Sequence, residues 1–249
     1  VIAIEHAITL DPNNAQLYLN LSIVLKEQGK LEAAGAMTER ALQIQPGFVD
    51  AVYHLAGIRL VQGRVKTAID MFRQFLKRKP DHSEAESSLL MSMHYLPDYS
   101  PDELFSAAKE WADRHIPERQ YFPPPTTLLD PHRRLRVGYV SSDFNSHSVG
   151  HLIEPVFAHH GKSRLEVFCY YNQSRIDDVT TRLRHSADHW RNIAGKSDQD
   201  VAKQIRGDDI DLLIEVAGQT DGNRLRVLAH KPARVQLTWV GYLSTTGID

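Results

Sequence analysis

The stretch LRVGYVSSDFNSHSVGH, residues 135–151, decides the fold of the second half of the chain. It opens with a short apolar run containing Val137 and Val140, which predicts a buried strand. Polar residues follow, and apolar residues then return from Val149 at spacings of three and four, which predicts a helix beginning near Ser148. The end of such a strand and the start of its helix face one crevice, where open α/β sheets bind ligands.

Strands and helices are predicted to alternate through the rest of the chain. The predicted strands lie at 165–171, 210–216 and 235–240, and the predicted helices at 178–186, at 200–206 and in a short segment ending near His230. Such alternation predicts a mostly parallel sheet with helices on both faces. Cys169 and Trp239, in two of these strands, are expected in the core. The glycine signatures of NAD-binding and P-loop proteins do not occur in the sequence.

The first third of the chain repeats with a period of 34 residues, the period of the tetratricopeptide (TPR) repeat. Glycine recurs where each repeat needs a tight turn between its helices, and proline recurs where the second helix must end. The recurring residues are Gly29 and Gly63, and Pro12, Pro46 and Pro80. Because a few repeats bury their faces only by stacking on others, we expect further repeats before Val1.

Changes in composition predict four segments. TPR repeats occupy residues 1–80, a helical cap 81–120, a Pro-rich linker 121–134 and an α/β lobe 135–249. In the cap, Ser100 followed by Pro101 is a helix start signal.

Composition limits the possible partners and the compartment. The chain has 249 residues, 42% of them hydrophobic, and its net charge of −2 predicts neither nucleic acid nor an anionic membrane as partner. No apolar run approaches the length of a membrane span. The single cysteine fits a reducing compartment, so we expect a cytoplasmic protein. The His159–His160 pair lacks metal-ligand spacing to nearby carboxylates or the cysteine, and no metal site is predicted.

Three loops are predicted to emerge at the carboxyl edge of the sheet, meaning the edge at which its parallel strands end. They are residues 141–148, 217–223 and 241–247, and all are rich in Gly, Ser, Thr and Asp. That composition suits a hydroxyl-rich or phosphorylated ligand held by backbone amides. The same residues also serve as ordinary turn formers and helix caps, so both interpretations remain open.

Asp143 and His147 are the candidates for chemistry in the first of these loops. Asp143 could act as a general base or bind a sugar hydroxyl, or it could cap the following helix. His147 could contact a phosphate or a reacting hydroxyl, or it could be one surface histidine among the 13 in the chain.

Taken together, these motifs resemble the O-GlcNAc transferase/SPINDLY family of protein O-glycosyltransferases. The matching segments are LRVGYVSSDFNSHSVGHL, LEVFCYY, DLLIEVAGQTDGNRL and KPARVQLTWVGYLSTTG, which follow the TPR repeats. The resemblance implies an α-solenoid followed by the N-terminal, Rossmann-like lobe of a two-lobed GT-B glycosyltransferase, whose C-terminal lobe would follow Asp249. It also implies metal-independent transfer, with inversion, of a sugar from a nucleotide donor to Ser or Thr hydroxyls.

The resemblance also implies roles for individual residues. Asp143 matches a proposed base or proton acceptor, His147 matches a histidine near the donor sugar and phosphate, and His94 would match the histidine of the cap region. The implied substrate-binding residues are Ser148, Val149, Gly218, Thr220, Val240, Gly241, Leu243 and Thr245.

Two classes of function follow. In the first, the protein is an enzyme that uses UDP-GlcNAc, with protein or peptide acceptors along the TPR groove and no cofactor besides the donor. Ser148 and Val149 stand where O-GlcNAc transferases often have Pro-Thr, and Leu243 stands where proline is usual, so GDP-fucose as in SPINDLY is the alternative donor. In the second, the TPR repeats form a peptide-binding scaffold and the α/β lobe has no catalytic role.

Overall fold

The computed structural model describes residues 1–116, 122, 130, 132–242 and 244–248. Contacts divide the chain into two compact units, Val1–Ala107 and Ala108–Asp249, and the boundary falls inside one helix. The four segments predicted from composition are finer than this division and remain predictions. Most of the predicted linker and Leu243 lie outside the described residues.

Pairs of helices build the first unit. Their bounds are α1 Ile2–Leu10, α2 Ala15–Glu27, α3 Leu31–Ile44, α4 Val49–Val61, α5 Val65–Arg78 and α6 Ser83–Met93. Gly29 and Gly63 turn the chain between the helices of the two full repeats with φ of 75° and 74°, a conformation that costs glycine little. Helices α1, α3 and α5 each end two residues before Pro12, Pro46 and Pro80. The predicted TPR repeats are confirmed.

A buried polar cluster joins the two repeats. Ser22 Oγ lies 2.6 Å from Thr38 Oγ1 and donates to the Ala34 carbonyl oxygen at 2.7 Å. His54 Nε2, from the next repeat, lies 3.1 Å from the same hydroxyl. Burial and, to a smaller extent, the charge of Lys26 lower the pKa of His54 to about 4, so the imidazole is neutral at neutral pH. The cluster fixes α2, α3 and α4 against each other without a buried charge.

Helix α7, Pro101–His115, contains the boundary between the units. Its predicted start is confirmed, because the Glu103 amide donates to Ser100 Oγ at 3.3 Å while the Ser100 amide donates to Glu103 Oε2 at 2.7 Å. This reciprocal pair is a capping box. Trp111, in the half of α7 that belongs to the second unit, is 2% exposed.

The second unit is built on a parallel five-stranded sheet with the order β3-β2-β1-β4-β5. Its strands are β1 Leu135–Ser141, β2 Leu165–Tyr171, β3 His189–Asn192, β4 Leu212–Glu215 and β5 Val235–Thr238. Its helices are α8 Ser148–Ala158, α9 Asp178–Ser186, α10 Asp198–Gly207 and α11 Leu225–Ala229. The predicted parallel α/β lobe is confirmed, and a separate apolar core lies on each face of β1 and β2.

The sequence missed strand β3 and placed Trp239 wrongly. β3 reads HWRN, with no apolar alternation, and it forms because its backbone pairs with β2 while His189 Nε2 lies 2.8 Å from Glu166 Oε1. Trp239 was expected in the core but is 43% exposed. The reason is that β5 ends at Thr238 and Val240 then takes a φ of 65°, which turns the chain out of the strand. Cys169 is buried as expected.

In the described part of the chain, no helix is both long and apolar enough to span a bilayer.

Candidate active site

The candidate site lies where the order of the strands reverses. The chain runs from β1 outward to β2 and β3, then returns to the other side of β1 to form β4 and β5. The loops after β1 and β4 therefore diverge and leave a crevice between them, which is where doubly wound sheets bind ligands. The predicted loops 141–148, 217–223 and 241–247 follow β1, β4 and β5, so their placement at the carboxyl edge is confirmed.

Hydrogen bonds from side chains hold the loop after β1 in a compact shape. The Asp143 amide donates to Ser141 Oγ at 2.9 Å. Asn145 Nδ2 donates to the Ser142 carbonyl oxygen at 3.0 Å and to Tyr171 Oη at 3.2 Å. The Asn145 side chain therefore ties this loop to the end of β2.

Gly150 allows helix α8 to begin directly beneath this loop. A Cβ atom at position 150 would lie 2.1 Å from the Asn145 carbonyl oxygen and 3.0 Å from that of Asp143. No side chain fits that space, so glycine is required for the close approach of loop and helix. The short path from β1 to α8 is what brings Asp143 and His147 together.

Asp177 ties the same loop to helix α9. Its Oδ1 accepts from the Thr180 amide at 3.0 Å as the N-cap of α9, and its Oδ2 accepts from the Ser146 amide at 2.8 Å. These two backbone amides lower the pKa of the Asp177 carboxyl. One carboxylate therefore fixes both the start of α9 and the loop beside Asp143.

We expect Asp177→Ala to loosen both of these points. Amide hydrogen exchange should become faster at Ser146 and Thr180, because both amides lose their acceptor. The matched control is Asp178→Ala, which removes the neighbouring carboxylate in the first turn of α9. Equal exchange at Ser146 in the two variants would contradict this assignment.

Asp143 and His147 form a loose carboxylate–imidazole pair. Asp143 Oδ2 lies 3.9 Å from His147 Nδ1, and the same Nδ1 accepts from the Val149 amide at 3.3 Å as the N-cap of α8. Because Nδ1 is an acceptor, the neutral ring carries its proton on Nε2. Asp143 is therefore not the helix cap, and that alternative is wrong.

The surroundings of Asp143 suit a proton acceptor. Burial raises the pKa of its carboxyl, while the His147 charge and a hydrogen bond from Ser142 oppose the shift. The Asp143 side chain is 16% exposed and that of His147 is 49% exposed, so the imidazole remains open to solvent. A mostly buried carboxylate with a raised pKa beside an accessible imidazole can accept a proton and orient an anionic group.

Glu215 is a residue of this edge that sequence reasoning missed. It ends β4, pairs with Val140 of β1 and is fully buried. Burial, helped by the charge of Asp143, raises its pKa to about 8 against the opposing effect of the Gly218 and Ala217 amides. The signal in the sequence was a charged residue at the end of the apolar run IDLLIEV, three residues before a glycine.

The loops after β4 and β5 interlock. Gly218 has a φ of 61°, and a Cβ atom there would lie 2.1 Å from Tyr242 Cβ. A Cβ atom on Gly241 would lie 1.9 Å from the Val216 carbonyl oxygen. Val240 is β-branched yet has a φ of 65°, a strained conformation that the surrounding packing must hold. The two loops therefore form one rigid wall.

Ser142 and Asn172 join this wall to the loop after β1. Ser142 Oγ lies 3.1 Å from both Asp143 Oδ1 and the Asp221 carbonyl oxygen. Asn172 Nδ2, just beyond β2, donates to the Gly222 carbonyl oxygen at 2.9 Å. The crevice is thus closed at its base by hydrogen bonds from β1 and β2 to the loop 217–223.

The structure places the remaining predicted site residues as follows. Ser148 is exposed and Val149 buried in the first turn of α8, directly after His147. Thr220 Oγ1 donates to the Ala217 carbonyl oxygen at 2.9 Å, and Thr245 Oγ1 accepts from the Gly247 amide at 3.1 Å.

These positions sort the predicted residues into groups. Asp143, His147, Ser148 and Val149 come together after β1, whereas Gly218, Thr220, Val240, Gly241 and Thr245 belong to the interlocked loops. His94 is the C-cap of α6 and belongs to the first unit, and Leu243 lies outside the described residues. All of these roles remain predictions. Within the described ranges, no three His, Cys, Asp or Glu side chains cluster as metal ligands would.

The fold and site define a class: TPR repeats followed by a Rossmann-like α/β lobe with its candidate site at the reversal of strand order. Comparison with known families makes this specific. The chain belongs to glycosyl transferase family 41, whose sequence model matches residues 115–249, and tetratricopeptide repeat models match residues 3–36 and 25–90.

Individual relatives agree with this family. A SPINDLY protein of Petunia hybrida, named a probable UDP-N-acetylglucosamine–peptide N-acetylglucosaminyltransferase, is 36% identical over 70% of this chain and 19% of its own length. The Caenorhabditis elegans UDP-N-acetylglucosamine–peptide N-acetylglucosaminyltransferase is 38% identical over 46% of this chain and 10% of its own. The chain thus spans less than a fifth of these relatives.

A solved structure matches as well. A mutant of the Thermobaculum terrenum O-GlcNAc transferase is similar with a TM-score of 0.92 and 33% identity, covering 99% of this chain and 47% of that one. The predicted fold class, a TPR solenoid followed by a Rossmann-like lobe of GT-B type, is therefore confirmed.

Proposed function

We propose that the protein containing this chain is a protein O-glycosyltransferase that moves GlcNAc from UDP-GlcNAc to Ser and Thr hydroxyls. The observation that carries the proposal is the Asp143–His147 pair at the reversal of strand order, in a chain of glycosyl transferase family 41. The names of the relatives support this choice of donor.

The proposed reaction is a single displacement, which inverts the configuration at the anomeric carbon. The acceptor hydroxyl oxygen forms a bond to that carbon as the bond to the nucleotide diphosphate breaks, and Asp143 takes the hydroxyl proton. The His147 Nε2 proton can be donated to the donor sugar or to the departing phosphate. No metal takes part in the proposed mechanism. Proton transfer by a positioned group typically contributes about 10²–10⁴-fold to the rate.

The first unit supplies the proposed partner site. TPR arrays present extended surfaces that bind polypeptides, so the first unit would hold a protein or peptide acceptor. The nucleotide-binding residues would come from a C-terminal lobe of the same protein, and the reaction would take place in the cytoplasm. The donor GDP-fucose is tested beside UDP-GlcNAc because Ser148 and Val149 replace the Pro-Thr expected of O-GlcNAc transferases.

The test is transfer of radiolabelled sugar to protein by the full-length enzyme, with UDP-GlcNAc and GDP-fucose as separate donors. We expect Asp143→Ala and His147→Ala each to lower turnover by about 10²–10⁴-fold. His159→Ala is the matched control, since this imidazole lies at the far end of α8, where its Nδ1 contacts the Pro155 carbonyl oxygen. Unchanged turnover in both variants would contradict the assignment of Asp143 and His147 as catalytic residues. If neither UDP-GlcNAc nor GDP-fucose supports transfer, the alternative of a peptide-binding scaffold without catalysis is favoured.

A further inference from the structure

Glu215 is a buried carboxylate that the proposed mechanism does not use. Its Oε1 accepts from the Ala217 amide at 2.9 Å and its Oε2 from the Gly218 amide at 2.6 Å. The residue is 0% exposed, and in the described part of the chain no cationic side chain pairs with it. Burying a carboxyl group without a cationic partner costs free energy, and the two amide hydrogen bonds offset part of that cost.

Those amides begin the interlocked wall of the crevice. The turn at Ala217 and Gly218 follows Glu215 directly, and the Gly218 backbone packs on Tyr242. Gly241 packs in turn on the Val216 carbonyl oxygen, inside the same turn. A shift of this turn therefore moves the loops 217–223 and 241–247 together, because neither has free space in which to adjust.

We propose that Glu215 is a positioning residue of these two loops, acting through the Ala217 and Gly218 amides to set the shape of the pocket that binds the donor sugar. The identification of the pocket rests on the proposed function. Glu215 itself touches no reacting atom, so its contribution lies in affinity for the donor. The loops it holds contain four of the predicted substrate-binding residues, Gly218, Thr220, Gly241 and Thr245, and a fifth, Val240, directly precedes the second loop.

The proton on Glu215 gives this contact a pH dependence. The charge of Asp143, in the loop after β1, acts on Glu215 directly. Asp221 acts in turn on Asp143, and Tyr242 packs on Gly218, whose amide donates to Glu215. Because burial raises the pKa of Glu215 to about 8, the group changes charge near that pH. Because burial favours the neutral form, the closed turn keeps the proton on Glu215, whereas a turn open to water releases it. Opening of the turn should therefore become easier as the pH rises towards about 8.

The kinetic test uses Glu215→Gln in the full-length protein. The amide side chain keeps one acceptor oxygen and loses the other, so we expect the KM and Kd for the sugar donor to rise about tenfold. Turnover at saturating donor should change by less than about threefold. The control is Glu154→Gln on α8, which removes the carboxylate partner of Arg182 on α9. This change should leave both KM and Kd for the donor unchanged. An unchanged KM, or a loss of turnover alone, would overturn the proposal.

Hydrogen exchange tests the same proposal without any transfer of sugar. In Glu215→Gln, the amides of both loops should exchange faster than in the unmodified protein, and Glu154→Gln should show no such change. In the unmodified protein, protection of the Ala217 and Gly218 amides should decrease between pH 5 and about 8, and this measurement does not depend on the folding of the variant. A flat profile counts against the proposal. If Glu215→Gln slows transfer but leaves amide exchange in the two loops unchanged, the positioning role of Glu215 is wrong. If exchange changes as expected but the protein transfers no sugar, only the proposed function is wrong.

Discussion

Gly218→Ala is expected to destabilise the α/β unit by about 2–5 kcal/mol. Roughly 1–2 kcal/mol comes from placing a side chain at a φ of 61°, and about 1–3 kcal/mol from forcing its Cβ against Tyr242. All three tryptophans of the chain, Trp111, Trp190 and Trp239, belong to this unit, so denaturant unfolding followed by tryptophan fluorescence measures its stability alone.

Gly195→Ala is the matched control for this substitution. Gly195 has a φ of 75° in the same unit, but a Cβ atom there would meet nothing within 4 Å. Gly195→Ala therefore includes the cost of a positive φ but not the contact with Tyr242. The difference in unfolding free energy between the two variants measures the contact between the two loops. Equal losses of stability in Gly218→Ala and Gly195→Ala would show that the loops adjust freely.

Glu215 should make the stability of the α/β unit fall as the pH rises. Below a pH of about 4.5 the carboxyl is protonated in both the folded and the unfolded chain, so its stabilising effect is fully present there. Between that pH and about 8 only the folded chain keeps the proton, and the free energy of unfolding should fall by up to about 1.4 kcal/mol per pH unit. Above about 8 the loss levels off. Glu215→Gln should lack this dependence, as measured by denaturant unfolding from pH 4 to 9.

Glu166→Gln offers a control of the opposite sign. The hydrogen bond from His189 lowers the pKa of Glu166, and Arg136 lowers it further, so its stabilising effect is present above its ordinary pKa and is lost on acidification. The difference between this variant and the unmodified chain should therefore be confined to the acid range. If the curves for Glu215→Gln and the unmodified chain run parallel from pH 5 to 8, the buried carboxyl does not retain its proton.

The repeats and the sheet could be predicted because their causes are local. Proline and glycine act on their own backbone, so Pro46 and Gly29 mark a helix end and a turn wherever they occur. The apolar run at Val137 and the helix start at Ser148 indicate a strand, a loop and a helix without any knowledge of the neighbours. The position of the loop between them at the carboxyl edge then follows from the topology of a parallel sheet.

The features that sequence reasoning missed depend on partners that are distant along the chain. β3 is a strand because β2 offers a free edge, and nothing in HWRN itself requires one. Glu215 is notable only because Gly218 and Ala217 turn back onto it and Asp143 approaches from another strand. The sequence predicted a helix start near Ser148, but only the folded loop shows that His147 caps it through Nδ1, which assigns the ring proton to Nε2.

The contacts of Gly218 with Tyr242 and of Gly241 with Val216 limit how this protein can be engineered. Neither the loop after β4 nor the loop after β5 can be exchanged by itself for that of a relative, because the incoming side chains would meet a backbone shaped for the original partner. Altering the choice of sugar should therefore require transplanting residues 215–223 and 239–247 as one cassette. A library that randomises only one of them should return mostly misfolded clones.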